Sequence, residues 1–185
     1  MAGCDTVCFD RAEHFEKMSY RNRYYIPGAN GLITLSIPLI NGRNQRAVMR
    51  DIKIFNRDRW QVQHWRTLVS VYRRSPYFEH YEHSLQQLFQ TEYTFLTDFN
   101  LAGIHWLKEN LRVTFNETFA EEYQEQYDES FTELRNIKPG YQKSPATSSP
   151  QYVQMFSERN GFLPDMSILD LLFSEGPRVK FTHPQ

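Results

Sequence analysis

The chain has 185 residues, of which 40% are hydrophobic and 23% are charged, and its formal net charge is −1. This length suits one domain that buries most of its apolar surface, and this composition is that of an ordinary globular protein, for which disorder is not the default. A net charge so close to zero also excludes a general attraction to nucleic acid or to anionic membranes. We therefore expect a single domain over residues 1–185.

The apolar runs and the cysteines indicate the compartment. The longest apolar run, Gly31–Ile40, is about half of what a membrane-spanning helix needs, and the N-terminus lacks the layout of a signal peptide. Cys4 and Cys8 lie near a predicted strand that points their side chains the same way but well apart, so no disulfide is expected. These features predict a cytoplasmic protein without membrane insertion.

Four β-strands are predicted in the first third of the chain. Asp5–Asp10 mixes β-branched and aromatic residues in a short apolar run that ends in a carboxylate. Ser19–Ile26 and Gly31–Leu39 flank the turn-forming dipeptide Pro27-Gly28 and therefore predict a β-hairpin. Met49–Ile54 alternates again and predicts a fourth strand.

The clearest helix is predicted from about Arg57 to Arg74. Asn56 is suited to cap its first N–H groups, and Pro76 disfavours helical geometry at the preceding residue and so ends it. The apolar stripe that faces the core consists of Trp60, His64, Leu68 and Val71, while Arg59, Arg66 and Arg73 recur every seven residues on another face.

The rest of the chain alternates between helices and short strands. Helices are predicted over Glu79–Phe89 and from Glu92 or Phe95 to Asn110, after which Leu111–Phe119 returns to the sheet as a strand. In the acidic run that follows, Tyr123 and Tyr127 are expected to hold the segment against the domain.

The C-terminal part begins with a Pro-, Gly- and Ser-rich segment. Asn136–Pro150 predicts a flexible loop, Tyr152–Phe156 a last strand, and Ser167–Phe173 a short helix. Ser167 with Asp170 forms the Ser-x-x-Asp capping pattern, and residues 178–185 form a tail. Together these elements predict an α/β fold with a mixed β-sheet and packed helices. The alternative is an α+β fold with an antiparallel sheet and helices on one face.

The most informative polar cluster is Arg21-Asn22-Arg23. Alternation in a strand puts Arg21 and Arg23 on one face, about 6.5 to 7 Å apart, a spacing that suits two guanidinium groups on one phosphate or carboxylate. The alternative interpretation is that both arginines pair with nearby carboxylates, namely Asp10, Glu13 or Glu16.

Histidines supply the candidate bases. His14 follows acidic residues in a connector between strands, where functional side chains are common. His64 lies on the apolar stripe beside tryptophans, which is compatible with a buried structural histidine or with a tuned base. His80 and His83 are three residues apart, but no third metal ligand follows them. No metal site is predicted.

The common nucleotide-binding and hydrolase motifs are missing from the sequence. It contains no Gly-rich phosphate loop, Walker lysine, G-x-S-x-G elbow or H-E-x-x-H helix. No cofactor is therefore expected.

Several segments of the chain form a recognisable set. They are SYRNRYYI with LITLSIP, HWRTLVSVYRRSPYF, FLTDFN and GFLPDMSILDLLFSEGP. This set resembles the WbqC-like family over about Asp5 to Pro177, and the combination of HWRTLVSVYRRSPYF with GFLPDMSILDLLFSEGP is specific to it.

Proteins that look like this are associated with making surface polysaccharides such as O-antigen or capsule. The resemblance implies an acyl or aminoacyl transferase, for glycine or a similar group, that forms an amide on a nucleotide-linked or lipid-linked amino sugar. It would bind a nucleotide-sugar or another sugar phosphate and work beside other enzymes of the polysaccharide pathway.

Such a reaction needs a base, an oxyanion donor and a phosphate grip. The candidate catalytic residues are His14, His64 and Asp10, and the candidate substrate-binding residues are Arg21, Asn22, Arg23, Arg66 and Tyr77.

The sequence departs from the family pattern at its start. The family opens with a strand and a Q-P-x-Y-F-P segment, whereas this sequence begins MAGCDTVCFD. Two explanations are open: a start codon placed too late, or a shortened and inactive form. The alternative function is therefore a non-catalytic module that binds a sugar phosphate or a protein.

Overall fold

The computed structural model describes residues 5–40, 47–135, 137 and 152–177. These residues form a mixed α/β domain, as predicted. The strands are β1 (Thr6–Asp10), β2 (Arg23–Gly28), β3 (Gly31–Ser36) and β4 (Asn116–Ala120). The α-helices are α1 (Trp60–Tyr72), α2 (Phe78–Gln90), α3 (Leu96–Leu111), α4 (Ser157–Asn160) and α5 (Ile168–Glu175), with 3-10 turns at Met49–Asp51 and Asn56–Asp58.

The described strands form two pairs. β2 and β3 make the predicted antiparallel hairpin, from Arg23 opposite Ser36 to Gly28 opposite Gly31. β1 pairs in parallel with β4, so the chain returns to β1 only after three helices, as parallel pairing requires. The carboxyl ends of β1 and β4 therefore meet at one edge, with Asp10 opposite Ala120.

Two predicted strands are wrong. Met49–Ile54 begins with a 3-10 turn, and its last residues make only isolated bridges, Lys53 with Phe95 and Ile54 with Leu39. Its alternation arises because Met49, Ile52 and Ile54 are buried in the core without forming a ladder. Tyr152–Phe156 pairs with no strand among the described residues, and the Gln154 side chain bonds to the backbone N–H and C=O of Leu163.

Helix α1 begins three residues later than predicted, and its predicted cap is wrong. Asn56 lies in a 3-10 turn, and Arg59 adopts a left-handed conformation with φ of 47° before the helix starts at Trp60. The Asn56 side chain accepts a hydrogen bond from Trp60 Nε1 at 3.2 Å and donates to the Tyr93 carbonyl at 2.9 Å. Asn56 thus ties α1 to the start of α3 and does not cap a helix.

The predicted apolar stripe of α1 is confirmed. Trp60, His64, Leu68 and Val71 are buried, while Arg59, Arg66 and Arg73 are exposed. The stripe packs among aromatic rings from the other helices, so α1 lies at the centre of one core. The rings of this core include Tyr72, Phe78, Phe89, Phe99 and Phe173.

Helix α5 forms where predicted. Ser167 is its N-cap and accepts a long hydrogen bond from the Leu169 N–H at 3.4 Å. Gly176 ends it with φ of 76°, and a Cβ there would lie 2.8 Å from the Tyr77 ring, so both backbone and packing demand glycine. The predicted capping role of the Asp170 side chain is wrong, because that carboxyl is buried and bonded to tyrosines.

Some predictions fall outside the described residues, including those for Cys4, for the tail 178–185 and for the loop 136–150 apart from exposed Ile137. Cys8 is a free thiol. In the described part of the chain, no helix is both long and apolar enough to cross a membrane.

Candidate functional site

A polar cavity of about 430 Å³ lies beyond the carboxyl ends of the parallel pair β1 and β4. Ligands of α/β proteins commonly bind at this edge, because the loops that leave parallel strands converge there. The cavity combines carboxylates, guanidinium groups and one imidazole. Its lining residues are Glu13, His14, Phe15, Glu16, Arg21, Tyr123, Glu125 and Arg135.

His14 presents an exposed imidazole to this cavity. Its backbone is held by hydrogen bonds on either side, from Phe15 N–H to the Ala47 carbonyl and from Met49 N–H to the Glu13 carbonyl, both 2.9 Å. The ring lies 5.8 Å from the Tyr123 ring, centroid to centroid. A backbone fixed on both sides with an exposed ring suits a side chain that must meet a substrate.

Asp10 organises the turn that leads from β1 to His14. Its Oδ1 accepts hydrogen bonds from the N–H groups of Ala12 and Glu13, at 3.0 and 2.9 Å. Its Oδ2 accepts from Arg135 Nη1 at 2.7 Å, and the side chain is only 5% exposed. The structure therefore places the Asp10 carboxylate beneath the cavity, where it positions the loop that carries His14.

Arg21 pairs with carboxylates on the cavity wall. Its Nε donates to Glu13 Oε1 at 2.9 Å, its Nη2 donates to Glu13 Oε2, and its Nη1 lies 3.7 Å from Glu16 Oε2. For Arg21, this arrangement is the alternative that the sequence left open. An anion could bind this guanidinium only by displacing a bidentate carboxylate, which is a strong competitor.

Arg23 differs from Arg21 in its surroundings. Arg21 precedes β2, so the two side chains do not share one strand face as predicted. In the described residues Arg23 makes no ion pair; its Nη1 donates to the Met18 sulfur at 3.4 Å. Asn22 donates its amide N–H to the Ile37 carbonyl at 3.0 Å, and so extends the hairpin by one more pairing.

Arg135 closes one side of the cavity and was not predicted. It donates to both carboxylate oxygens of Glu133 and to Asp10. Its guanidinium lies 4.9 Å from the centroid of the Tyr127 ring and 5.8 Å from that of Tyr123. Hydrogen bonds from Arg135 lower the pKa of Glu133, and those same bonds raise the pKa of Arg135.

The expectation that Tyr123 and Tyr127 hold the acidic segment against the domain is met by Tyr127, which is half-buried, whereas Tyr123 is 53% exposed. The Tyr127 hydroxyl also reaches Asp10, at 3.4 Å. In the sequence, only these two tyrosines indicated that the segment contacts the site. The contact of Arg135 with Asp10 could not be predicted, because 125 residues separate the two along the chain.

Among the described residues around the cavity, negative charge predominates. The carboxylates of Glu13, Glu16 and Glu125 line it, those of Asp10 and Glu133 pair with Arg135, and Arg21 and Arg135 supply the guanidinium groups. These five carboxylates and two guanidinium groups carry a net charge of −3. The field in the cavity favours a cationic group such as an ammonium over a phosphate.

His64 lies away from this cavity, in the core. It is 4% exposed; its Nδ1 lies 3.2 Å from the Tyr24 hydroxyl and its Nε2 lies 3.3 Å from the Ser36 carbonyl. These partners assign Nε2–H as the donor and Nδ1 as the acceptor. Burial lowers the pKa of His64 to about 4, opposed by the hydrogen bond to Ser36. Of the two roles that the sequence left open for His64, this geometry matches the buried structural histidine.

We expect acidification to destabilise the protein through His64. The imidazole pKa is 6.5 in the unfolded chain and about 4 in the folded protein, so the stabilisation is complete above pH 6.5 and is lost as the pH falls toward 4. Between pH 7 and pH 5, the free energy of unfolding should fall by about 2 kcal/mol more in the wild type than in His64→Gln. Urea denaturation at both pH values measures this difference, and an equal fall in both proteins would contradict it.

Two further predicted residues lie elsewhere. Arg66 is exposed on α1, and Tyr77 lies between α1 and α2, where its backbone N–H donates to the Phe173 carbonyl at 3.0 Å. Neither residue lines the polar cavity with His14 and Arg21. Their substrate-binding roles therefore stay predictions. Among the described residues, no group of three or more His, Cys, Asp or Glu side chains is placed to hold a metal ion.

Comparison with known proteins gives one family match. The sequence model described as the WbqC-like protein family matches residues 1–135, which include every residue that lines the polar cavity. The match ends before the C-terminal segments, to which the resemblance was expected to extend. The chain has no significant match among curated proteins or among solved structures.

Proposed function

Because the chain belongs to the WbqC-like protein family, we propose that it is an acyl or aminoacyl transferase that forms an amide on the amine of an amino sugar in surface-polysaccharide biosynthesis. The observation that carries this proposal is the exposed imidazole of His14 in a carboxylate-rich cavity at the carboxyl ends of β1 and β4. The proposed acceptor is a nucleotide-linked amino sugar.

The proposed reaction makes one bond and breaks one. The amine nitrogen attacks the carbonyl carbon of an activated acyl donor, an ester or thioester, and the N–C bond forms. The donor's alcohol or thiol leaves with the electron pair of the broken bond. His14 accepts the proton that the amine loses on attack and passes it to the leaving oxygen or sulfur. This acid–base task contributes typically about 10²–10⁴-fold to a rate.

The charge around the cavity supports an amine as the acceptor. An amino sugar is an ammonium ion at neutral pH, and the excess of carboxylates attracts it. Glu125 is the lining carboxylate without an ion pair in the described residues, since Glu13 and Glu16 both lie near Arg21. We assign the ammonium contact to Glu125. The bound ammonium releases one proton to solvent to become the attacking amine, and His14 takes the second proton during the attack.

The sugar phosphate needs a separate cation. Arg21 is bonded to Glu13, whereas Arg23 has no ion pair in the described part of the chain and its Nε has no hydrogen-bond partner there. Arg23 does not line the polar cavity. We therefore assign it a phosphate contact outside the cavity, and we assign the shape of the cavity wall to Arg21. The sequence predicted that Arg21 and Arg23 bind one anion together, whereas in this proposal only Arg23 binds it.

A pair of sugar nucleotides that differ only at the amine tests the proposal. We expect UDP-glucosamine to bind at least about fivefold more tightly than UDP-N-acetylglucosamine in calorimetric titrations, because acetylation removes the charge that the carboxylates attract. Glu125→Gln should weaken binding of UDP-glucosamine about two- to fivefold, while Glu122→Gln, at an exposed carboxylate outside the cavity, should not.

The outcomes separate the candidate functions. Equal affinity for the two sugar nucleotides would contradict an amine site. Binding of UDP-glucosamine that survives His14→Ala, with no amide product from any acyl donor, would instead identify the non-catalytic binding module.

A further inference from the structure

A second cavity, of about 310 Å³, lies between helices α2, α3 and the start of α5. It has a different character from the polar cavity. All fourteen of its lining residues are uncharged, and most are aliphatic or aromatic, among them Leu85, Phe99, Ile104 and Leu169. Its volume falls at the lower end of the range for small-molecule sites, which are concave, mostly apolar and carry a few polar groups.

The backbone of Tyr20 and Arg21 lies between the two cavities. Tyr20 lines the apolar cavity and Arg21 lines the polar one. Asn100, which also lines the apolar cavity, donates its side-chain N–H to the Arg21 carbonyl at 2.9 Å. The two cavities are therefore neighbours that share this short segment as a wall.

Glycine at position 103 keeps part of this space open. Gly103 lies inside α3 and lines the cavity, and a Cβ built there meets no heavy atom within 4 Å. Glycine destabilises a helix interior relative to alanine, and its φ here is not one that requires glycine. The local backbone thus does not require glycine at this position. The absence of a side chain instead leaves more open volume in the cavity.

We propose that this cavity binds an uncharged aliphatic chain with a neutral polar head, such as the acyl part of an ester or amide. The lining has no charge to pair with an ionic ligand, and burying an unpaired ion there would be costly. At its polar positions, the Asn100 amide oxygen can accept a hydrogen bond and the Ser167 hydroxyl can donate one. An alcohol, ester or amide head matches these groups.

This inference goes beyond amide formation on a sugar, and its test measures binding without turnover. The probes are butanol, hexanol and octanol, titrated into the full chain by calorimetry. Affinity should rise roughly fourfold with each added methylene, because each one removes more apolar surface from water. Octanoate should bind at least about tenfold more weakly than octanol, because no cation lines the cavity.

Three variants locate the binding. Gly103→Phe should fill the cavity and weaken octanol binding at least about tenfold. Gly103→Ala adds one methyl group in open space and should stay within about threefold of wild type. Glu109→Phe adds the same ring at an exposed position of α3 outside this cavity and should leave binding unchanged. Circular dichroism and thermal unfolding check that each variant folds.

The wild type alone can overturn the proposal, even if Gly103→Phe fails to fold. Absence of saturable octanol binding, or affinity that does not change with chain length, would overturn it. Indole binding as tightly as octanol would show an aromatic site and also overturn it. A dimer in sedimentation that dissociates on Gly103→Phe would identify a second copy of the chain as the occupant, again against the proposal.

Discussion

Replacing Asp170 with alanine is expected to lower the free energy of unfolding by about 3 kcal/mol. The Asp170 carboxyl is 0% exposed and accepts hydrogen bonds from the Tyr72 hydroxyl at 2.8 Å, the Tyr152 hydroxyl at 2.5 Å and Gln154 Nε2 at 3.1 Å. Alanine leaves these donors buried without their acceptor and leaves a cavity beside them. Denaturant unfolding at neutral pH measures the loss.

The control is Glu175→Ala, because Glu175 is an exposed residue of the same helix. It should change the free energy of unfolding by less than about 0.5 kcal/mol. Equal effects of the two alanine substitutions would show that helix α5 responds to any lost carboxylate and that the buried hydrogen bonds do not matter.

The pH dependence of the same carboxyl has a defined sign. Burial raises the pKa of Asp170 above its usual value of 3.8, opposed by the hydrogen bonds from Tyr152, Tyr72 and Gln154. Because its pKa is raised in the folded state, the protonated carboxyl adds to the free energy of unfolding. This contribution is complete below pH 3.8 and is lost as the pH rises through the folded-state pKa. Asp170→Asn should therefore lose this part of the pH profile of stability, and a profile identical to that of wild type would contradict the assignment.

Replacing His14 with glutamine is expected to lower the turnover number of the proposed transferase by about 10²–10⁴-fold. Glutamine keeps a polar side chain of similar size but cannot take a proton from the attacking amine. The measurement is amide formation on UDP-glucosamine with an acyl thioester donor, detected by mass spectrometry. Binding of the sugar should change little, because the carboxylates that attract the ammonium remain.

His80→Gln is the matched control for His14, since His80 is exposed on α2 and lies outside the polar cavity. It should retain full activity. A His14→Gln protein as active as this control would exclude His14 as the base. Loss of sugar affinity together with loss of turnover would point to a binding role for the imidazole.

The two cavities give the proposals separate tests. The polar cavity is tested with an amine and its acetylated form, and the apolar cavity with uncharged alcohols. Since Tyr20 and Arg21 separate them, a substitution at Gly103 should alter only alcohol binding and one at Glu125 only sugar binding. Octanol binding without any response to UDP-glucosamine would leave the apolar site standing and the transferase proposal without support.

The sequence by itself determined helices α1, α2, α3 and α5 and the core stripe, because both depend on local patterns, but it did not predict the short helix α4. Trp60, His64, Leu68 and Val71 recur with the period of a helix, and the burial of one face follows from that period. The hairpin of β2 and β3 is likewise local, since its turn lies between the paired strands. The carboxylate end of β1 and the loop position of His14 could also be predicted from neighbouring residues.

Only the tertiary structure decided which side chains meet. Asp10 contacts Arg135 across 125 residues of chain, and Tyr72 contacts Asp170 across 98. In the same way, the pairing of Arg21 with Glu13 depends on how the connector folds back after β1. Hydrogen bonds and ion pairs act over a few ångströms in space whatever the separation in sequence, so no periodicity along the chain records them. The alternation of Met49–Ile54 indicated burial correctly, but a strand also needs a neighbouring strand, and that too is a property of the whole fold.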